Sequence, residues 1–446
     1  MTTSSEPRTF RLPRVSRLAT RQRDTAPGWS LHLATLTFAA LLVLAFLGPW
    51  MAENNDGVQS QIRTAGYVLL AALTIVAIRP WRHPERLLVI PWPLVLALGW
   101  CALSLTWAFA PDVGLRRLAL TVTVAWSLFA LVRHLGIERA LLTLSIVLAA
   151  ALAVNYAFVL LYPSIGLHAP SGEFSGKWRG LMAHKNFAGE LCAYTVLVFA
   201  FNEDLHKAAR IAVAAAAGMF LLMTDSETSL KMGVAALVFG GILYLFARKF
   251  GRRQLAPPAA AWVLFAILAV IAISMALNPS YYLQMVSDPA AFTGRTQIWT
   301  ALIKVYADQP LTGVGYGSLW DLGPNGPINN YATDWVTEQS EGHNGYFDML
   351  AQIGGPGTLI VLFATLVWPV QRLLRGGDHP ARALAGAILL FCLGHNFTES
   401  TMLDRDALSE VFLILAIALL WNATGMSVSA PSELLRRSTG RRSGAA

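Results

Sequence analysis

Three residues combine chemistry with positions that a plain scaffold does not explain: Arg179, Arg295 and His343. An arginine fork donates two parallel hydrogen bonds and keeps its charge at any physiological pH, so two such forks can hold a pyrophosphate. An imidazole with an unperturbed pKa near about 6.5 can take a proton from a hydroxyl, and a helix N-terminus beside it would keep it neutral. Each also has a plainer reading. Either arginine can pair with a local carboxylate such as Glu173 or Asp288, or meet lipid headgroups, and a loop histidine can be a hydrogen-bonded surface group. The local sequences are Trp178-Arg179-Gly180 with His184-Lys185-Asn186, then Thr293-Gly294-Arg295-Thr296, and finally His343-Asn344-Gly345-Tyr346.

The elements that must position these residues are membrane-like. Of 446 residues, 55% are hydrophobic and only 13% charged, a combination typical of multi-span membrane proteins. The expected fold class is an all-α integral membrane protein. Apolar runs that meet or approach the roughly 20 residues of a span lie at 31–50, 64–80, 87–109, 115–133, 138–162, 187–202, 208–224, 229–247, 260–277, 346–370, 381–397 and 407–425, giving about 12 transmembrane helices. The organisation expected is a basic tail over 1–28, helices 1–9 over 29–278, a large outer loop over 279–343, helices 10–12 over 344–425, and a second basic tail over 426–446.

The net charge of +8 does not indicate a nucleic acid partner, because the basic residues form short clusters between apolar runs and not one continuous face. They indicate orientation. With twelve spans, 24 of the 34 Lys and Arg residues fall on the side of both termini and 10 on the other. The positive-inside rule then places both termini in the cytoplasm. Four polar clusters share the opposite face: 164–186, Asp225-Ser226-Glu227-Thr228, 280–343, and Asn396-Phe397-Thr398-Glu399-Ser400. Basic residues that resist the sorting bias need a partner or a function there.

Other motifs read as structural. Gly313-Val314-Gly315-Tyr316-Gly317 has no preceding strand and no βαβ unit, so it reads as a tight turn and not a nucleotide loop. Asp321-Leu322-Gly323-Pro324-Asn325-Gly326-Pro327 reads as irregular loop. Asn186 is placed to cap the helix that follows. Cys101, Cys192 and Cys392 are far apart in apolar spans and read as small buried hydrophobes, not a disulfide or metal framework.

In order, Trp178-Arg179-Gly180…His184-Lys185-Asn186 with Gly189, Ser226-Glu227-Thr228-Ser229, Gly294-Arg295 with Trp299, Gly313-Val314-Gly315, and His343-Asn344-Gly345-Tyr346 with Gly354-Gly355 and Gly357 resemble the O-antigen ligase and polysaccharide polymerase family of bacterial inner-membrane proteins, the Wzy/WaaL group. The resemblance covers about residues 140–405. It implies a GT-C-like glycosyltransferase with a long periplasmic loop, needing no metal or other cofactor. The implied donor is a glycan on undecaprenyl pyrophosphate. Carried over, Arg179 and Arg295 bind the pyrophosphate and His343 is the base, while His184, Lys185, Asn186, Asn344, Tyr346 and Glu399 contact substrate. The implied partners are the lipid-linked donor, a glycan or lipid A core acceptor, membrane lipids, and flippase and chain-length regulator proteins. The first island and the Ser226 helix start resemble exopolysaccharide polymerases of the ExoQ type, which favours a polymerase over a ligase. A transporter or flippase is the alternative from another class. It would call for ionisable residues near the midplane and internal repeats, whereas the charges here gather in outer loops.

Overall fold

The computed structural model describes residues 27–53, 57–172, 174–249, 294–332, 334–374 and 381–423. The expected span at 260–277, the start of the long loop with Asp288 and Thr293, Glu173, and nearly all of both basic tails lie outside the described residues. Every other apolar run coincides with a helix. They are α1 (Gly28–Glu53), α2 (Gly57–Ile78), α3 (Trp92–Ser104), α4 (Pro111–Leu135), α5 (Ile137–Leu161), α6 (Lys185–Phe201), α7 (Lys207–Thr224), α8 (Glu227–Lys249), α9 (Arg295–Asp308), α10 (Gly345–Leu362), α11 (Ala381–His395) and α12 (Leu408–Ala423). Of these, α9 belongs to no apolar run and lies inside the expected outer loop.

Among the described residues seven helices are long and apolar enough to cross a membrane, α10 with its continuation to Leu374 being one. The chain is a multi-pass membrane protein. Three further apolar helices, α3, α11 and α12, are shorter than a full span. The shortness has a local cause at α3, where Pro91 fixes the start and the chain turns at Leu105. No strand forms among the described residues beyond an isolated bridge between Leu167 and Trp178.

The centre of the bundle is α12. Its sequence is apolar on nearly every face, so it takes the position where every face meets protein. It packs on α11 and α4, while α6, α8 and α11 form a contiguous group beside it. Lipid tails are as apolar as leucine, so close packing and polar contacts must hold such a group together. Both are present. Tyr194 stacks on Phe412 at a ring separation of 3.7 Å. The Tyr194 hydroxyl lies 2.8 Å from Ser409 Oγ and 3.1 Å from Cys392 Sγ. Ser409 in turn donates to buried Glu190. This ties α6, α11 and α12 together. The three cysteines are buried and unpaired with one another, as small hydrophobes would be.

The outer loop is not the irregular insert that its polarity suggests. From Arg295 onward it builds its own small core, with Ile298, Leu302 and Val305 of α9 packing against Leu319, Trp320, Ile328 and Val336. The segment 321–327 expected as irregular contains short 3₁₀ turns instead. The turn at Gly313-Val314-Gly315 joins this layer to α10, with Val314 N donating to Ala351 O (3.0 Å) and Gly315 N to Gln352 O (2.8 Å). Gly354 breaks α10 at φ 70°, and a Cβ there would come within 2.4 Å of the Leu311 carbonyl oxygen. The expected cost of Gly354→Ala is about 3 kcal/mol, from left-handed strain plus overlap. Gly241→Ala, in α8 with open space around it, should be neutral or stabilise by up to about 1 kcal/mol. Thermal unfolding of the purified variants in detergent checks the contrast, and equal behaviour of the two would contradict it.

Candidate functional site

Three helix starts, those of α6, α9 and α10, converge on the turn that follows α11. Asn344 caps α10, its side-chain oxygen accepting from Tyr346 N and Phe347 N at 3.1 Å. The first amide of that helix, Gly345 N, donates to Asn396 O (2.9 Å) and Glu399 O (3.0 Å). This docking is close: a Cβ on Gly345 would lie 2.2 Å from Asn396 Oδ1. Asn344 adds a bond from its amide nitrogen to Phe397 O (3.1 Å), and its backbone N donates to Ser400 Oγ (3.0 Å). Tyr346 donates to Leu393 O (2.6 Å) and its ring packs on Phe397. Asn344 and Tyr346 thus use their polar atoms to lock α10 onto α11.

That lock delivers Glu399 to the middle of the site. Its Oε1 accepts from Arg295 (3.2 Å) and from the Asn186 side chain (3.3 Å), and its Oε2 lies 3.2 Å from His343 Nδ1. Arg295 also donates to Thr398 O. Asn186 is therefore not the cap of α6, as its position suggested. His184 takes that role, its Nδ1 accepting from Asn186 N at 3.3 Å, which frees the Asn186 side chain to reach across to Glu399.

His343 occupies a left-handed backbone conformation at φ 46°, a strained state for a residue with a Cβ. Trp299 Nε1 donates to its carbonyl (3.4 Å) and the Asn344 cap holds the other side. Its Nδ1 lies 3.1 Å from Glu341 Oε1 as well as 3.2 Å from Glu399 Oε2. Two carboxyl groups on one ring nitrogen favour the tautomer with hydrogen on Nδ1, leaving Nε2 as the proton-accepting atom. The ligand atoms of Glu341, His343 and Glu399 all lie within 4.8 Å of one another, a spacing that a small cation could bridge. The Glu399 carboxylate is already shared by Arg295, Asn186 and His343.

The first polar island forms an adjacent layer. Arg179 donates from Nε to Ile165 O (3.0 Å) and from a terminal nitrogen to Ala183 O (3.1 Å), so among the described residues backbone carbonyls hold it. Lys185 reaches Asp225 O (2.7 Å) and lies over the Phe174 ring. Lys185 N donates to His168 Nε2 (3.1 Å), and the His168 and His184 rings are 5.1 Å apart. Burial, the neighbouring His168 and Lys185 push His184 down to about 4, against the pull of Glu399, so it is a neutral donor at pH 7. Burial, Arg179 and Lys185 lower His168 in the same sense. The structure brings Arg295, His343, Asn186 and Glu399 into direct contact. His184 and Lys185 adjoin them through α6, and Arg179 joins through its bond to the Ala183 carbonyl, next to His184.

Sequence reasoning did not single out Glu341 or His168. Glu341 stands two residues before His343, and a carboxylate at that spacing was the available signal. Both carboxyl groups around His343 are shifted, in opposite directions. Burial acts to raise Glu399, but its hydrogen bond with His343 and the charge of Arg295 outweigh this and hold it at about 2. Burial, then Glu399 and Asp348, push Glu341 well above the usual carboxylate range. The two groups are thereby driven apart, Glu399 toward its ionised form and Glu341 toward its protonated form. A carboxyl whose folded pKa is depressed stabilises the fold above its unfolded value, about 4.3, and loses that contribution as pH falls through the folded value. Glu399→Gln should therefore be less stable than the parent at pH 7, and the gap should close between about pH 4 and pH 2. Unfolding midpoints of both proteins across that range check this, and a gap independent of pH would contradict it.

The model of the O-antigen ligase family matches residues 212–362, a stretch holding α7 to α10 and with them Arg295, Glu341 and His343. No curated protein matches the chain. Relatives of this kind are glycosyl-transfer enzymes of the ligase or polymerase type that act on lipid-linked glycans and an acceptor. This match, on an all-helical multi-pass scaffold, supports an O-antigen ligase/Wzy-type family domain over residues 212–362.

Proposed function

We propose that this protein is an inner-membrane glycosyltransferase that polymerises repeat units carried on undecaprenyl pyrophosphate, at the periplasmic face, with inversion and without a metal. The observation that carries the reading is the Glu399 cluster, which holds a guanidinium and an imidazole side by side on the face where the basic residues resist sorting. In the reaction an acceptor hydroxyl oxygen forms a bond to the anomeric carbon as the bond from that carbon to the pyrophosphate oxygen breaks. The electron pair leaves with the pyrophosphate, and the hydroxyl proton passes to His343 Nε2. Arg295, the Lys185 ammonium and the neutral His184 donor supply fixed positive charge and hydrogen bonds for the leaving group, with Arg179 completing the cradle; helix starts at α6 and α9 add partial positive charge. Glu399 is the positioning residue. It fixes the His343 tautomer and gives the developing imidazolium charge a partner, as a buried carboxylate does for a catalytic histidine elsewhere. Asn344 and Tyr346 act through the α10–α11 lock and not by touching substrate.

The matched family's description favours a second reading, transfer of a finished polymer to lipid A core. Deleting the gene separates the two. Loss of polymer down to single repeats supports the polymerase, and long polymer that lacks lipid A attachment supports the ligase. Unchanged, attached polymer would defeat both.

In purified protein, His343→Ala should lower transfer by roughly 10²–10⁴-fold, the range of a general base, with donor binding retained; full activity would remove His343 from the mechanism. Arg295→Lys should lose most activity, since a point charge cannot reproduce a fork shared between Thr398, Glu399 and a phosphate. Transfer should survive extensive chelation. Loss of activity restored by an added divalent ion would instead assign the Glu341, His343 and Glu399 trio to metal.

A further inference from the structure

The loop between α9 and α10 holds a cavity of about 460 Å³, bounded on one side by the run from Leu319 to Asn329 and on the other by Thr337, Glu338 and Gln339. Neither Arg295 nor His343 nor Glu399 lines it, so it lies outside the catalytic cluster. The chain itself joins the two places. From Gln339 the backbone runs on to His343, four residues later, a reach of roughly 14 Å at most for an extended chain.

Its walls are fixed from behind. Asn329 Nδ2 donates to Gly323 O at 2.9 Å and Gly326 N donates to the same carbonyl at 3.0 Å, so two short turns stand as one wall. Leu319 and Ile328 belong to the small core that includes Leu302 of α9. Asp321 pairs with Arg117 of α4 at 3.3 Å, which ties this layer to the bundle. The lining differs sharply from the cationic cradle. Among the described residues it holds no Lys, Arg or His, so a phosphate would find no counter-charge there. It offers carboxyl groups from Asp321 and Glu338 and side-chain amides from Asn329 and Gln339, beside apolar surface from Leu319 and Leu322. An acyl chain would desolvate those polar groups without replacing their hydrogen bonds. A neutral sugar ring fits both parts, its C–H face on the leucines and its hydroxyls donating to carboxylates and accepting from amides. The volume lies within the range of small-molecule sites, about 300–1,000 Å³.

We propose that this cavity is a subsite for the glycan chain, holding a sugar residue away from the reacting bond, so that chains of several repeats bind better than single repeats. This rests on the glycosyl-transfer reading and adds a second point of attachment outside the catalytic cluster. A glycan engaged at the cluster presents its further sugars at high local concentration, so even a weak second contact raises the affinity of long chains over short ones.

The test fills the cavity after folding. Glu338 is an exposed lining residue and the native Cys101, Cys192 and Cys392 are buried, so Glu338→Cys gives one accessible thiol. Thr337→Cys repeats the block from a second exposed position. The full chain in detergent is titrated with oligosaccharides of one, two and three repeats, cut from the surface polymer of the source strain. Calorimetry reads binding before and after reaction with fluorescein maleimide. The expected result is that three repeats bind about tenfold or more tighter than one before labelling, and equally after it. Asp112→Cys, exposed at the start of α4 and outside the lining, should keep the preference when labelled. Equal binding of short and long chains by the unlabelled protein would overturn the proposal, and so would a length preference that survives labelling at both cavity positions. A length preference abolished by that labelling, in a protein that transfers nothing from lipid-linked glycan, would support the subsite and defeat the glycosyl-transfer reading instead.

Discussion

Glu399 is a carboxylate held ionised at the end of a helical bundle, and the starts of α6, α9 and α10 are arranged around keeping it so. Its side chain is only 13% exposed, yet Arg295, Asn186 and His343 satisfy both oxygens. The turn that carries it is fixed from behind by the Gly345 amide and the Asn344 side chain. Losing one partner of such a pair costs roughly 3 kcal/mol when the other is left buried and charged. The same bonds that stabilise the turn therefore set the positions of the His343 imidazole and the Arg295 guanidinium, the proposed base and phosphate-binding group. Structure and chemistry share one carboxylate, which is why the cluster has so few independent parts.

The rest of the fold serves that arrangement. α12 fills the bundle centre and, through Ser409, Tyr194 and Glu190, fixes α6 and α11 relative to each other. α6 then brings His184 and Asn186, and α11 ends at the Glu399 turn. The outer loop has a core of its own, so α9 presents Arg295 from a packed layer and not from a flexible strand of chain. Around His343 the two carboxyl groups are pushed in opposite directions: the bond from His343 and the charge of Arg295 hold Glu399 low against burial, while burial, Glu399 and Asp348 push Glu341 up.

Much of this was legible in the residues. Apolar runs near span length announced the described helices because lipid demands length and composition together. Arg295 and His343 stood out because a basic residue on the face expected to be outer breaks a sorting rule and a histidine before an apolar run marks a helix start. Other parts were not readable. Glu399 lies 56 residues from His343 and 104 from Arg295, so nothing local revealed that it joins them. His184 displaced Asn186 as a cap because the tertiary partner Glu399 competed for the Asn186 amide. α9 escaped notice since its apolar stripe of Ile298, Leu302 and Val305 is short and surrounded by polar residues, a signal weaker than that of any span.

The central claim is that Glu399 acts by holding other residues and not by touching substrate. A double-mutant cycle of Asn186→Ala and Glu399→Ala, read as the transfer rate of purified, folded protein, tests it most directly. The account predicts that the double variant stays within about twofold of Glu399→Ala alone, because Asn186 acts through that carboxylate. Independent, multiplicative losses would contradict it.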